Sequence, residues 1–282
     1  DSLGGRYLAT VRDVGAAGLL AGSYGVGSTL GPGVIALTHW RVGFVVAALA
    51  SALAAALVGR GSLSWPAALH DDARRPRPAR GSRDDAGGAG DRAAPRSIPW
   101  GAVIASLAVF GVFVALEVTA GQWGATFLED HRGTSGRIAG LATSGFWAGI
   151  TIGRLLLGRV QLPARRLLLG SITLALVAFS LVAVAPRPVA VGAFLVAGVA
   201  IAPGFPTLLA TTSDRVGAAL AGRVSGWQLI AANVAATGLA ALTGVIVDLT
   251  GPGAPIVVLM VVTVLGMVAL EVSFRLAADR RA

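Results

Sequence analysis

The sequence predicts an all-α integral membrane protein of about eight transmembrane helices, and three observations lead there. Hydrophobic residues fill 55% of the 282 positions and charged residues only 13%, about half the charged share of an ordinary soluble domain. Apolar stretches of about 20 residues, the length that crosses a bilayer, recur along the chain. The basic residues gather in every second connection between those stretches.

The spans fall near residues 14–36, 42–59, 99–127, 138–157, 167–185, 188–212, 217–247 and 254–274. The third and seventh exceed the thickness of a hydrocarbon core, so each is expected to tilt, bend or protrude. The second lies close to the lower limit. Residues 60–98 differ from the rest: Arg74-Arg75-Pro76-Arg77-Pro78 and Gly87-Gly88-Ala89-Gly90 supply no apolar surface to fold around, which marks a flexible linker. The chain opens at Asp1 without a methionine or a signal pattern, so its beginning is expected upstream.

All 23 basic residues are arginine and the net charge is +9. Nineteen arginines lie in one alternating set of segments, and four (Arg41, Arg132, Arg137 and Arg187) lie in the other. The positive-inside rule then places both termini and the 60–98 linker in the cytoplasm, as in a multi-pass protein of the inner (plasma) membrane. A nucleic-acid binder has no reason to alternate charge with hydrophobic period, so nucleic acid is excluded as a partner. With no cysteine, thiol catalysis and cysteine-bearing metal sites are excluded. His39, His70 and His131 sit apart in connections, so no metal, cofactor or enzymatic constellation is expected.

Several motifs remain. The first span holds Gly18, Gly27, Gly31 and Pro32, in which small residues let backbones approach and the proline bends the helix. The fourth holds Gly145, Gly149 and Gly153 at four-residue steps, then Arg154; the glycines read as a helix contact. Arg154 and its neighbours read either as topology determinants or as part of an inter-helix gate. In the sixth span Pro203 and Pro206 stand three apart, freeing carbonyls that must find partners in the protein or line a wet cavity. Glu117 is the one carboxylate deep in an apolar span, flanked by Phe113, Val114, Leu116 and Val118. It is expected to face the bundle interior, where desolvation favours its protonated form and suits it to proton exchange. Gln122 and Trp123 leave its face unless the helix breaks near Gly121. Gln228 and Asn233, with Ser225 and Thr237, could bind a polar solute or join helices. Asp214 and Arg215 read as an exposed pair in a connection, of little energetic weight.

On these motifs the chain resembles a major facilitator superfamily transporter. The Gly18, Gly27, Gly31-Pro32 series resembles the fifth-helix motif of that family, departing at Ile35 and Ala36 where a glycine pair is usual. His39-Trp40-Arg41…Phe44 resembles the turn into helix six. Gly153-Arg154…Gly158-Arg159 resembles the second-half copy of the cytoplasmic loop motif, with Leu157 where its acidic member would stand. Glu117…Gly121-Gln122-Trp123, Ser144-Gly145-Phe146-Trp147 and Pro203-Gly204-Phe205-Pro206-Thr207 are similar to the sugar- and fucose-permease-like branch.

The resemblance implies a truncated 12-helix major facilitator fold, with helices five to twelve in hand. Residues 1–59 are then the last two helices of the N-terminal half, 60–98 the linker and 99–282 the C-terminal six-helix half. It implies a permease or symporter that moves a small solute, sugar-like or another metabolite, by alternating access coupled to protons. Glu117, Gln122, Trp123, Gln228 and Asn233 are its candidates for binding or coupling. A permease subunit of a primary transporter would need a coupling helix, a membrane enzyme would need converging carboxylates or a metal cluster, and a truncated bundle would not transport.

Because the chain lacks cysteine, single cysteines introduced at Ser82 and Thr134 report topology cleanly. In intact cells an impermeant thiol reagent is expected to label position 134 and spare position 82; the reverse pattern inverts the orientation.

Overall fold

The computed structural model describes residues 98–157 and 162–279, together with Pro32, 34–37, 41–42, 45–46, 48–49, 52–53 and 56. The isolated residues between 32 and 56 are helical. Gly18, Gly27, Gly31, the 60–97 linker and Gly158-Arg159 lie outside the described residues. The continuous part of the structure is the C-terminal bundle.

Among the described residues the secondary structure is helical throughout. Helix α1 (Trp100–Thr126) runs without interruption into a π-helical turn, Phe127–His131. Next in the chain come α2 (Gly136–Leu157), α3 (Ala164–Val184) and α4 (Arg187–Ile201). Two short helices, α5 (Gly204–Ala210) and α6 (Thr212–Val216), lead into α7 (Ala218–Thr250) and α8 (Ala254–Asp279). Five spans among the described residues are long and apolar enough to cross a membrane: Trp100–His131, Ala164–Val184, Arg187–Ala210, Ala218–Thr250 and Ala254–Asp279. Helix α2 has comparable length, 22 residues, about 33 Å at the helical rise; its five glycines and two arginines make it less apolar.

The third and seventh expected spans are indeed the long ones. At 33 residues, α7 extends about 50 Å, well beyond a hydrocarbon core of about 30 Å. The sixth expected span is interrupted at Ala202-Pro203, where the backbone keeps right-handed helical angles. Pro203 has no N–H to donate, so α4 stops at Ile201 and the chain restarts at Gly204, where Pro206 sits in the first turn and needs no intrahelical partner. A second restart falls at Gly217, whose φ of 89° an L side chain rarely adopts.

Every other crossing runs in the same direction, and the two broadest contacts join such parallel pairs. Helices α1 and α7 meet along their length: Trp100 stacks on Trp227 at one end, Gly111 faces Ala235 in the middle, and the Trp123 indole N–H donates to the Ala240 carbonyl at 3.0 Å. Helices α2 and α4 meet along the glycine stripe. Gly145 faces Leu195, Gly149 faces the backbone of Leu195 and Val199, and Gly153 faces Ala202. Small residues permit this approach, which in lipid is the main way two apolar helices gain contact. Phe146 and Phe194 stack at 4.9 Å in the same interface. Helix α8 closes the bundle against α1 and α3, where Gly266 admits Val112 and Ile172.

The outward faces are as apolar as the core. Ile104, Leu156, Val184, Ile230, Val234 and Leu249 are all exposed. Such a continuous apolar surface is untenable in water and ordinary in a bilayer.

A β-carbon added at Gly149 would lie 2.7 Å from the Leu195 carbonyl oxygen, while one at Gly226 would meet nothing within 4 Å. Gly149→Ala is therefore expected to destabilise by about 1–3 kcal/mol, the usual range for overpacking. Thermal unfolding in detergent checks this, with Gly226→Ala as the variant that leaves the midpoint in place.

Candidate functional site: a buried ion pair between two helices

Glu117 stands near the middle of α1, between the fully buried Leu116 and the half-buried Val118, and is itself 6% exposed. An ionised carboxylate in such surroundings requires a cation or donors. Helix α2 supplies the cation: the Arg154 Nη2 donates to Glu117 Oε2 at 2.7 Å, with both side chains buried. Side chains lean toward the N-terminus of their own helix, so Arg154, three residues from the Leu157 end of α2, reaches back into the bundle.

A third element completes the surroundings. The Phe205 ring of α5 lies with its centroid 5.7 Å from Arg154 Cζ, within cation–π range. Phe205 packs in turn on Phe110 of α1 at 5.1 Å. Gly204, with no side chain, lets α5 settle against Phe113, one turn before Glu117. The guanidinium has five N–H donors, and Arg154 Nε is buried with no hydrogen-bond partner among the described residues. The cation is thus held on one edge by a carboxylate and on a face by a ring.

The other candidate residues take separate places. Helix α1 continues unbroken past Gly121, so Gln122 and Trp123 are not brought to the Glu117 face. Gln122 is exposed, whereas Trp123 spends its indole N–H on α7. Asn233 is exposed and donates to the Leu229 carbonyl of its own helix at 2.8 Å. Gln228 is fully buried; its amide donates to Ser106 Oγ of α1 at 3.0 Å, and its carbonyl accepts from Thr212 Oγ1 at 3.0 Å. It joins helices far from the ion pair.

The same cluster corrects the reading of Arg215 as an exposed loop residue. Arg215 is 2% exposed, donating to Ser106 Oγ at 3.1 Å, Thr211 Oγ1 at 2.6 Å and the Leu208 carbonyl at 2.5 Å. The short helix α6 turns its side chain inward while the neighbouring Asp214 stays exposed. Burial pushes the guanidinium down to about 10, against the opposing pull of Asp214, which still leaves it charged at neutral pH.

A cleft of about 690 Å³ opens beside α1 and α2, lined among others by Pro32, Ala36, Gly121, Arg137, Gly140 and Thr143. Its volume suits a small molecule. Gly121 lies four residues from Glu117, on the same face of α1. Its nearest neighbour is the ring of Trp147 on α2.

This bundle, apolar outside and carrying a buried charge pair, defines a multi-pass membrane protein. The family model described as Major Facilitator Superfamily matches residues 11–237, and the chain belongs to that superfamily. Its members are transporters, which gives the chain its general function. Neither a curated protein nor a solved structure matches the chain.

Removing either partner of a buried ion pair strands the other charge, at about 3–5 kcal/mol. Glu117→Gln and Arg154→Gln are each expected to lower the thermal midpoint, and the double variant to recover most of the loss. A double variant as unstable as the sum of its parts would show that the two charges do not depend on each other.

Proposed function

We propose that the protein is a proton-coupled secondary transporter moving a small solute by alternating access. The observation that carries this reading is the Glu117–Arg154 pair, buried at 2.7 Å between two spanning helices. A paired Glu117 is charged and neutralised by Arg154. A protonated Glu117 leaves Arg154 a lone cation, which the apolar interior disfavours, so a change in protonation alters which packing of α1 against α2 is favoured. Such a dependence ties proton movement to conformation.

In this reading residues 1–59 close the N-terminal half, 60–98 link the halves and 99–282 form the C-terminal half. The termini face the cytoplasm and the membrane is the plasma membrane, a placement that the arginine distribution supports. Glu117 and Arg154 form the coupling element. Arg137 and Thr143, which line the cleft, are polar groups placed to meet the solute, and Gln122 is exposed next to the cleft-lining Gly121. Trp123 and Gln228 hold helices together instead, and Asn233 stands apart on α7.

Glu117→Gln keeps the size of the side chain and removes its titration. In the reconstituted transporter it is expected to abolish uphill accumulation driven by a proton gradient while solute exchange continues. Accumulation that stays normal and pH-responsive in a well-folded Glu117→Gln protein would rule out the coupling role.

A further inference from the structure

We propose that Phe205 is a positioning residue: its ring holds the Arg154 cation against Glu117 and ties the pair to the break between α4 and α5. The inference rests on the reading of the pair as the coupling element. Three observations converge on it. Arg154 donates one hydrogen bond to Glu117 and leaves Nε without a partner among the described residues, so its orientation is under-determined by hydrogen bonding. The Phe205 ring lies 5.7 Å from Cζ, close enough for the negative ring face to stabilise a desolvated guanidinium. Phe205 is also the residue that the break delivers. It follows Pro203 and Gly204 directly, and Gly204 seats the start of α5 on Phe113 of α1.

Helix α5 starts at Gly204, packed on Phe113 of α1, so Phe205 reaches the guanidinium from a segment separate from the glycine-lined contact of α2 with α4. Phe110, tilted 50° against Phe205 at 5.1 Å, backs the ring from α1. Glu117, Arg154 and Phe205 thus come from α1, α2 and α5, and only the last stands on a short helix of seven residues. Movement of the break and the state of the ion pair are linked through one ring.

The test replaces Phe205 in the reconstituted transporter with mono-, di- and trifluorinated phenylalanine. These rings keep nearly the same shape while their faces lose negative potential step by step. Proton-driven accumulation is expected to fall stepwise, roughly tenfold over the series, on the order of one desolvated cation–π contact. Phe205→Trp should retain transport and Phe205→Leu should lose it. A second measurement is a thermal-unfolding cycle of Phe205→Leu with Arg154→Gln, expected to be non-additive because both remove the same contact. If Glu117→Gln abolishes coupling yet accumulation is flat across the fluorinated series, the positioning role is overturned. If Glu117→Gln transports normally, the coupling reading fails by itself. The cycle then decides: non-additivity keeps Phe205 as the holder of Arg154, and additivity overturns it.

Discussion

The bundle is organised around one electrostatic requirement, that a carboxylate in the middle of an apolar helix must have its charge answered from another helix. Among the described residues no side chain of α1 donates to Glu117. Arg154 answers it from α2, and so fixes the axial register of those two helices. Everything nearby conforms to that register. Trp147, seven residues before Arg154, falls on Gly121, four residues past Glu117. The glycine stripe of α2 then faces α4, and α4 ends at the level of Gly153, next to Pro203. A buried ion pair contributes little net stability because desolvation offsets the attraction. Its weight here lies in specificity, since few other alignments of α1 and α2 leave both charges partnered.

The two kinds of polar cluster in this bundle differ in how completely they are satisfied. Around Arg215, hydroxyls of Ser106, Thr211 and Thr212, the Leu208 carbonyl and the Gln228 amide share donors and acceptors among α1, α5, α6 and α7. A network so fully connected is rigid. Around Arg154 there is one hydrogen bond, one ring and one orphaned nitrogen among the described residues. Arg154 is thus held by fewer hydrogen bonds than Arg215.

Much of this fold is legible in the sequence, for a simple reason. In lipid the backbone must satisfy itself, so each apolar run of sufficient length becomes a helix, and the six runs from residue 99 onward all do. The paired prolines announce a disruption, although its place, at Ala202-Pro203 with Gly204 docked on Phe113, is not written in hydropathy. Only half of the site is legible in the same way. Glu117 stands out because no other acid lies so deep, but its partner looks like one arginine among many at a helix end. Pairing across 37 positions is a property of helix register, which hydropathy does not encode. The available clue is the need of a deep acid for a cation, and Arg154 follows the glycine stripe that brings helices close. Arg215 hides its burial because the local sequence Ser213-Asp214-Arg215 is polar and resembles a surface loop; only its position against Ser106 and Gln228 reveals the difference.

The connections at the other end of the bundle carry a matching clamp. Arg132, just past the π-helical turn, donates to the carbonyls of Ala183 and Ala185, and Arg187 donates back to the Arg132 carbonyl at 2.7 Å. The turn from α1 to α2 is thereby pinned to the turn from α3 to α4, while the Arg215 network pins α1 to α7 at the opposite end. A body fastened at both ends does not bend in its middle. The stretch of α1 that carries Glu117 thus lies between two clamps, one at each end of the helix.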